Sequence, residues 1–191
     1  MIDLEYCRNL DRNDPLAGKR ALFEAPKAGT IFLDANSVGA MPANVRERTA
    51  AILDLWVDQR RRGWTVSDWL EKPRRLGADV AHLIGAAPED VVAADTTSHN
   101  LFKTLHQAMA LRPDRKVILT EPGNFPTDLH IAQGLQKLLG GGIEIRMIDD
   151  HDALLDAIDE SVAVVYLSHV DYRTSWRWDM GEVCERAKRA R

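Results

Sequence analysis

Val91-Val92-Ala93-Ala94-Asp95-Thr96-Thr97-Ser98-His99-Asn100 and, one helix later, Lys116-Val117-Ile118-Leu119-Thr120-Glu121-Pro122-Gly123-Asn124-Phe125-Pro126-Thr127-Asp128 decide the fold. Val91 to Ala94 is a short apolar run of strand type, and Asp95 to Ser98 breaks it. From His99 the period turns helical, with Leu101, Phe102, Leu105 and Met109 on one face. Lys116 to Thr120 is a second strand and Glu121 to Asn124 a turn. Phe125 to Asp128 opens another helix, where Pro126 suits the first position because its missing N–H costs nothing. A helix start has N–H groups without intrahelical partners and a partial positive charge. Hydroxyls of Thr96, Thr97 and Ser98 would crowd around the first such start, which suits a phosphate or carboxylate. Taken singly, each turn is explained by ordinary capping. Two of them at one edge of a parallel sheet point to a ligand, because open α/β sheets bind ligands there.

Composition excludes several classes. The chain has 191 residues, 45% hydrophobic and 28% charged, with a net charge of −4, and reads as ordinary globular material. That balance gives no reason to expect nucleic acid or an anionic membrane as partner. No apolar run approaches the roughly 20 residues that span a bilayer. Met1-Ile2-Asp3-Leu4-Glu5 lacks the charged and apolar regions of a signal peptide, so a cytoplasmic location is expected. Cys7 and Cys184 have no metal or redox spacing and read as free thiols. The six histidines make no zinc-protease or finger spacing. No Ser/His/Asp or Cys/His arrangement is legible, and no glycine-rich Walker or dinucleotide fingerprint is present.

Taken in order, residues 1–29 read as a helical arm and Thr30 to Leu33 as a short strand. The turn from Asp34 to Gly39 follows, and a left-handed φ there would disfavour Ala35. Pro42 to Arg62 is the first long helix, with Val45, Thr49, Ile52, Leu53, Trp56 and Val57 as its expected buried stripe. Arg60-Arg61-Arg62 suits the negative end of the helix dipole. Trp69 reads as core. Leu70, Leu76, Val80, Leu83 and Ile84 share a face of the next helix. Pro73 moves the regular start of that helix to near Glu71. Beyond Asp128 the helix runs to about Leu139. Ile143 to Ile148 is a strand, Asp152 to Ile158 a short helix, Val162 to Leu167 a buried parallel strand, and Met180 to Arg191 a charged helix. Strand and helix alternate, which gives an α/β fold: a three-layer α/β/α sandwich with a mostly parallel sheet. Residues 1–50 form the arm and the start of the first long helix. Residues 51–191 form the first part of a large domain.

Asp95-Thr96-Thr97-Ser98-His99-Asn100-Leu101-Phe102-Lys103 and Asn124-Phe125-Pro126-Thr127-Asp128-Leu129-His130-Ile131-Ala132-Gln133-Gly134 resemble kynureninase. Leu33-Asp34-Ala35-Asn36-Ser37-Val38-Gly39 and Leu167-Ser168-His169-Val170-Asp171-Tyr172 resemble the same family in the right order. The family consists of pyridoxal 5'-phosphate enzymes of fold type I, the aspartate-aminotransferase fold. The resemblance implies that Thr96 and Thr97 hold the cofactor phosphate and that Phe125, Pro126, Thr127 and Asp128 form the ring-binding turn. Phe125 would stack on the ring, Asp128 would lie toward its nitrogen, and Ser168 would be a hydroxyl of the pocket. Trp64 would meet the aromatic substrate, with Asn36 and Ser37 nearby. The implied reaction is hydrolysis of L-kynurenine, or its 3-hydroxy form, to anthranilate and L-alanine in tryptophan catabolism and NAD biosynthesis. A homodimer is implied for the complete enzyme.

The family's Schiff-base lysine, its principal pyridinium aspartate and its substrate-carboxylate arginine have no counterpart here. The catalytic set is therefore empty, and Lys188 does not fill it. The chain reads as an N-terminal portion, inactive alone. Alternatives are another fold-type-I enzyme, a desulfurase or aminotransferase, against which Phe125 stands where those relatives usually carry histidine. A non-catalytic binding remnant of the fold is the other.

Overall fold

The computed structural model describes residues 2–190. It divides into two compact units, residues 1–92 and 93–191.

The first unit is helical. Helix α1 (Leu4–Arg12) is capped by Asp3, whose side chain accepts from the Tyr6 N–H. A 3-10 turn (Ala17–Leu22) follows. Helix α2 (Val45–Gln59) gives way to a 3-10 turn at Arg60–Arg62 and a one-turn helix α3 (Gly63–Val66). The expected stripe on α2 is not a core. No residue of α2 is buried, and Trp56 is 63% and Val57 72% exposed. Helix α4 (Lys72–Ile84) starts just after Glu71, so Pro73 lies in its first turn, where it displaces no helical hydrogen bond. The buried face of α4 is Gly77 and Ala81, while Leu70, Leu76, Leu83 and Ile84 are exposed. A Cβ at Gly77 would lie 2.1 Å from the Val91 carbonyl oxygen, so only glycine lets the backbone of residues 91–92 lie against this helix. Gly63 has the same office beneath the Trp69 ring, which a Cβ would approach to 2.7 Å.

Two expected strands are absent from the ladder. Val91 has extended dihedrals, φ −118° and ψ 133°, yet Val91 to Ala94 pairs with nothing among the described residues. Thr30 to Leu33 is likewise unpaired, with Ile31 and Leu33 exposed. Apolar extended sequence becomes sheet only where a neighbouring strand completes its hydrogen bonds. The turn at Asp34 closes through Ser37 and Val38 N–H groups on the Asp34 carbonyl, without a left-handed φ at Ala35.

The second unit holds the sheet. Helix α5 (Thr97–Leu111) leads into β1 (Val117–Thr120), then α6 (Pro126–Leu138), β2 (Glu144–Met147), α7 (His151–Asp156), β3 (Val162–Tyr166) and α8 (Met180–Arg189). The strands are all parallel in the order β2-β1-β3. All four residues of β1 are buried, as a central parallel strand requires. Side chains alternate across it. Val117 and Leu119 face Leu154, Leu155, Trp178 and Val183 on one side. Ile118 faces Leu105, Met109, Ala132 and Leu135 on the other. Helices α5 and α6 therefore cover one face, and α7 and α8 the other. The alternation read from the sequence is borne out as α/β with a small parallel sheet.

Strand order fixes where a ligand would go. The chain leaves β1 for α6 on one face, and leaves β3 toward α8 on the opposite face. Two adjacent parallel strands whose outgoing connections diverge open a crevice at their carboxyl ends. Here that crevice lies between Thr120 and Tyr166, which are register partners.

Candidate functional site

The crevice is held together by one side chain. Asn124 is 4% exposed, and its amide bridges both strand ends. Its Nδ2 donates to Thr120 Oγ1 at 2.8 Å and to the Tyr166 carbonyl at 3.0 Å. Its Oδ1 accepts from the Ser168 N–H at 2.8 Å. Thr120 Oγ1 in turn donates to the Tyr166 carbonyl at 2.7 Å. A buried amide with its donors and acceptor all used fixes geometry, because each lost partner would leave a desolvated polar group. The network sets Ser168, half-buried just past β3, beside the turn that starts α6.

Glu121 follows β1 directly and is 5% exposed. Its Oε1 accepts from the Trp178 indole N–H at 3.1 Å, and Oε2 is 3.8 Å from His151 Nε2. The His151 ring stacks on Trp176 with centroids 4.2 Å apart and meets Trp178 edge-on. This packing anchors the loop after β3, which folds back as a hairpin. Val170 pairs with Arg177, and Asp171 turns the tip by accepting the N–H groups of Arg173 and Thr174. Those two N–H donors hold the Asp171 carboxyl below its ordinary range.

At the hairpin tip Tyr172 meets Phe125 edge-on, ring centroids 5.3 Å apart and planes at 62°. Phe125 is the residue before α6, in extended conformation, and its ring is half exposed. An edge contact steadies the ring and leaves a face for stacking. Pro126 takes the first helical position, as expected. Pro126 and Thr127 are exposed, and Asp128 is partly buried in the first turn. Burial raises the Asp128 carboxyl above its ordinary value, since desolvation disfavours the charged form.

The second helix start is that of α5. Thr96 is its cap, its hydroxyl accepting from the His99 N–H at 3.3 Å. The N–H groups of Thr97 and Ser98 find no acceptor among the described residues. Asp95 just before the cap has φ 46° and pairs with Lys103, whose hydrogen bond and charge lower the Asp95 carboxyl. Asn100 Nδ2 donates to the Ala94 carbonyl at 2.7 Å, tying the incoming chain to the helix. Helix α5 ends five residues before β1 and runs back along it. Its N-terminus therefore points toward the same carboxyl edge from which α6 departs. Both helix starts direct partial positive charge at one edge, and that of α5 adds the free Thr97 and Ser98 N–H groups.

The second unit thus contains Thr96, Thr97, Phe125, Pro126, Thr127, Asp128 and Ser168, all on segments that the topology brings to its carboxyl edge. Asn36, Ser37 and Trp64 belong to the first unit, where all three are exposed. Asn124, Glu121 and Tyr166 were not legible as site-building residues. Asn124 stood in a motif as one more turn former, and nothing in its spacing announces that its amide reaches two strands. A groove of about 780 Å³ between α7 and α8 is lined by Asp156, Asp159, Glu182, Glu185 and Arg186. It lies toward the amino end of β3, away from the crevice. Among the described residues no helix is long and apolar enough to cross a membrane, and no cluster of three or more acidic, His or Cys side chains could hold a metal ion.

The chain is 46% identical over 187 residues to a protein named kynureninase from Burkholderia mallei (strain SAVP1), covering 95% of this chain. It is a homologue of the kynureninases. A kynureninase from Burkholderia pseudomallei (strain 1106a) also matches at 46%, and one from Pseudomonas fluorescens at 44% over 179 residues. The chain spans about 44% of the length of the Burkholderia kynureninases it matches and 43% of the Pseudomonas one. No family model matches.

Proposed function

We infer that this chain forms the phosphate- and ring-binding part of a kynureninase-like hydrolase, of pyridoxal-phosphate fold type I, that cleaves the Cβ–Cγ bond of L-kynurenine. One observation carries the reading. In a kynureninase homologue, two helix N-termini, that of α5 with free N–H groups, and a half-exposed aromatic ring belong to the carboxyl edge of one parallel sheet.

The residues present fit pyridoxal 5'-phosphate. A phosphate needs donors, and the Thr97 and Ser98 N–H groups with the Thr96 and Thr97 hydroxyls are of that kind. A pyridine ring needs a flat apolar face, which Phe125 offers. A cationic ring nitrogen needs a carboxylate, and Asp128 is partly desolvated, so a cation beside it would bring its carboxyl back down. Ser168 adds a hydroxyl on a backbone fixed by Asn124. When bound, the cofactor supplies the electron sink for carbon–carbon cleavage. Trp64, Asn36 and Ser37 are assigned to the substrate side, and a cytoplasmic homodimer is the proposed assembly of the whole enzyme.

Titrating the purified chain with pyridoxal phosphate, and in parallel with phosphate-free pyridoxal, tests this. Saturable binding of the phosphorylated form alone, weakened by Thr97→Ala, is expected. Equal, non-saturating binding of both would remove the cofactor role.

A further inference from the structure

The hairpin after β3 meets the turn after β1 at three places. Its arms are joined through the main chain: the Asp171 N–H donates to the Trp176 carbonyl at 2.8 Å, and the Trp178 N–H to the His169 carbonyl at 3.0 Å. At its base Trp176 lies flat on His151 of α7, planes 6° apart, and the buried Trp178 donates to the Glu121 carboxylate. Further up it leans on Gly123, where a Cβ would lie 3.0 Å from Asp171 Oδ2 and 3.2 Å from an Arg173 guanidinium nitrogen. Asp171 is itself pinned, since its Oδ1 accepts the Arg173 and Thr174 N–H groups, both at 2.7 Å. At the tip Tyr172, with the Arg173 guanidinium 5.6 Å from its ring centroid, meets Phe125. Among the described residues Phe125 lies outside both core clusters, and no aromatic ring but Tyr172 meets it.

We propose that this hairpin braces the ring-binding turn and that Tyr172 is its positioning residue, holding the Phe125 ring in the orientation that stacks on a cofactor ring. The proposal rests on the reading of Phe125 as that stacking residue, and names what orients it. A half-exposed phenylalanine without a partner samples several rotamers, and that freedom is lost when a ligand stacks on it. An edge contact from a tyrosine on a tethered hairpin removes the freedom beforehand and leaves a ring face open. Trp176 acts at one remove, by fixing the base of the hairpin on His151.

Fluorine NMR of the cofactor-free chain labelled with 4-fluorophenylalanine reads the Phe125 ring among the four phenylalanines, with Phe125→Leu assigning its signal. Tyr172 and Trp176 are both about half exposed, so their truncation spares the core. Tyr172→Ala and Trp176→Ala are expected to move the Phe125 signal toward its position in the unfolded chain, and Tyr172→Phe to leave it in place. Titration with pyridoxal phosphate gives the second readout. Tyr172→Ala is expected to bind about 2- to 10-fold more weakly than wild type, and Tyr172→Phe like wild type. In a Phe125→Ala chain, Tyr172→Ala is expected to cost nothing further, whereas a merely structural tyrosine would weaken both backgrounds alike. A Phe125 signal indifferent to Tyr172→Ala, or equal losses in the two backgrounds, overturns the proposal. A responding signal in a chain that ignores pyridoxal phosphate would sink the cofactor reading and leave Tyr172 as the residue that orients Phe125.

Discussion

The Ser168 N–H donates to Asn124 Oδ1 at 2.8 Å, so a side chain in the turn after β1 holds the backbone just past β3. Asn124→Ala removes that acceptor and the two donor contacts of Nδ2 at one buried point. Leaving buried partners unsatisfied costs about 1–3 kcal/mol each at most, and the losses overlap, so a net destabilisation of roughly 2–4 kcal/mol is expected. Urea unfolding followed by Trp178 fluorescence measures it. A change below about 0.5 kcal/mol, the scale of an ordinary surface substitution, would show that the clamp does not hold the crevice.

At the start of α5 the two threonines separate cleanly. Thr96→Ala deletes a capping acceptor and is expected to cost about 1 kcal/mol of stability. Thr97 has no such bond, so Thr97→Ala is expected to leave stability within about 0.5 kcal/mol of wild type while weakening pyridoxal-phosphate binding. Thermal unfolding and cofactor titration on the same two variants make the comparison. Equal affinities for wild type and Thr97→Ala would remove Thr97 from the phosphate site.

Phe125 is half exposed, so its truncation is expected to cost little stability and much affinity. Phe125→Ala should bind pyridoxal phosphate at least several-fold more weakly, and Phe125→His, which keeps a flat ring, should lie between it and wild type. Matching affinities for all three would leave Phe125 as no more than the partner of Tyr172.

Asp128 carries a pH signature. Its folded-state carboxyl is raised by burial, so between its unfolded and folded values the native chain binds more protons than the unfolded one. Stability contributed by this site is therefore present at low pH and declines as pH rises through that window. Asp128→Asn is expected to stabilise the chain near pH 7 relative to wild type, with the difference shrinking toward pH 3. Chemical unfolding at the two pH values decides, and a wild type equally stable relative to Asp128→Asn at both would show that the carboxylate bears no desolvation cost.

No lysine of the second unit stands at the carboxyl end of a strand. Lys103 and Lys137 are in α5 and α6, Lys116 precedes β1, and Lys188 is in α8, paired with Glu185. Borohydride reduction of the chain with pyridoxal phosphate is accordingly expected to leave no stoichiometric adduct on a single lysine, and no anthranilate should form from kynurenine. A specific adduct with product release would identify a catalytic lysine and overturn the expectation.

Much of the second unit was legible because its signals are local. Pro126 at a helix start, the apolar runs at Val117 and Val162, and the capping hydroxyl of Thr96 each act within a few residues of themselves. What escaped was set by distance in the chain. Val91 to Ala94 has strand composition, and Val91 extended dihedrals, but whether a neighbour pairs with it is not written in those residues. The α2 stripe from Val45 to Val57 has the period of a buried face, and periodicity cannot say what covers it. Asn124, Glu121 and the Tyr166 carbonyl act through partners 42 to 57 residues away, which leaves no spacing to read.

The parallel order β2-β1-β3 also has a consequence in time. β1 is the first strand to be synthesised and the central one, so it has no sheet partner when it emerges. Val117 pairs with Glu144 and then with Val162, the latter about 45 residues downstream. At ordinary rates of synthesis, about 5–20 residues per second, β1 waits on the order of 2–9 s before its second edge can be closed. When β1 emerges, α5 is the one helix packed on it that is already complete, and it covers the Ile118 side before α6 joins it there. The helix that offers its N-terminus to a ligand is thus also the first cover available to the nascent sheet.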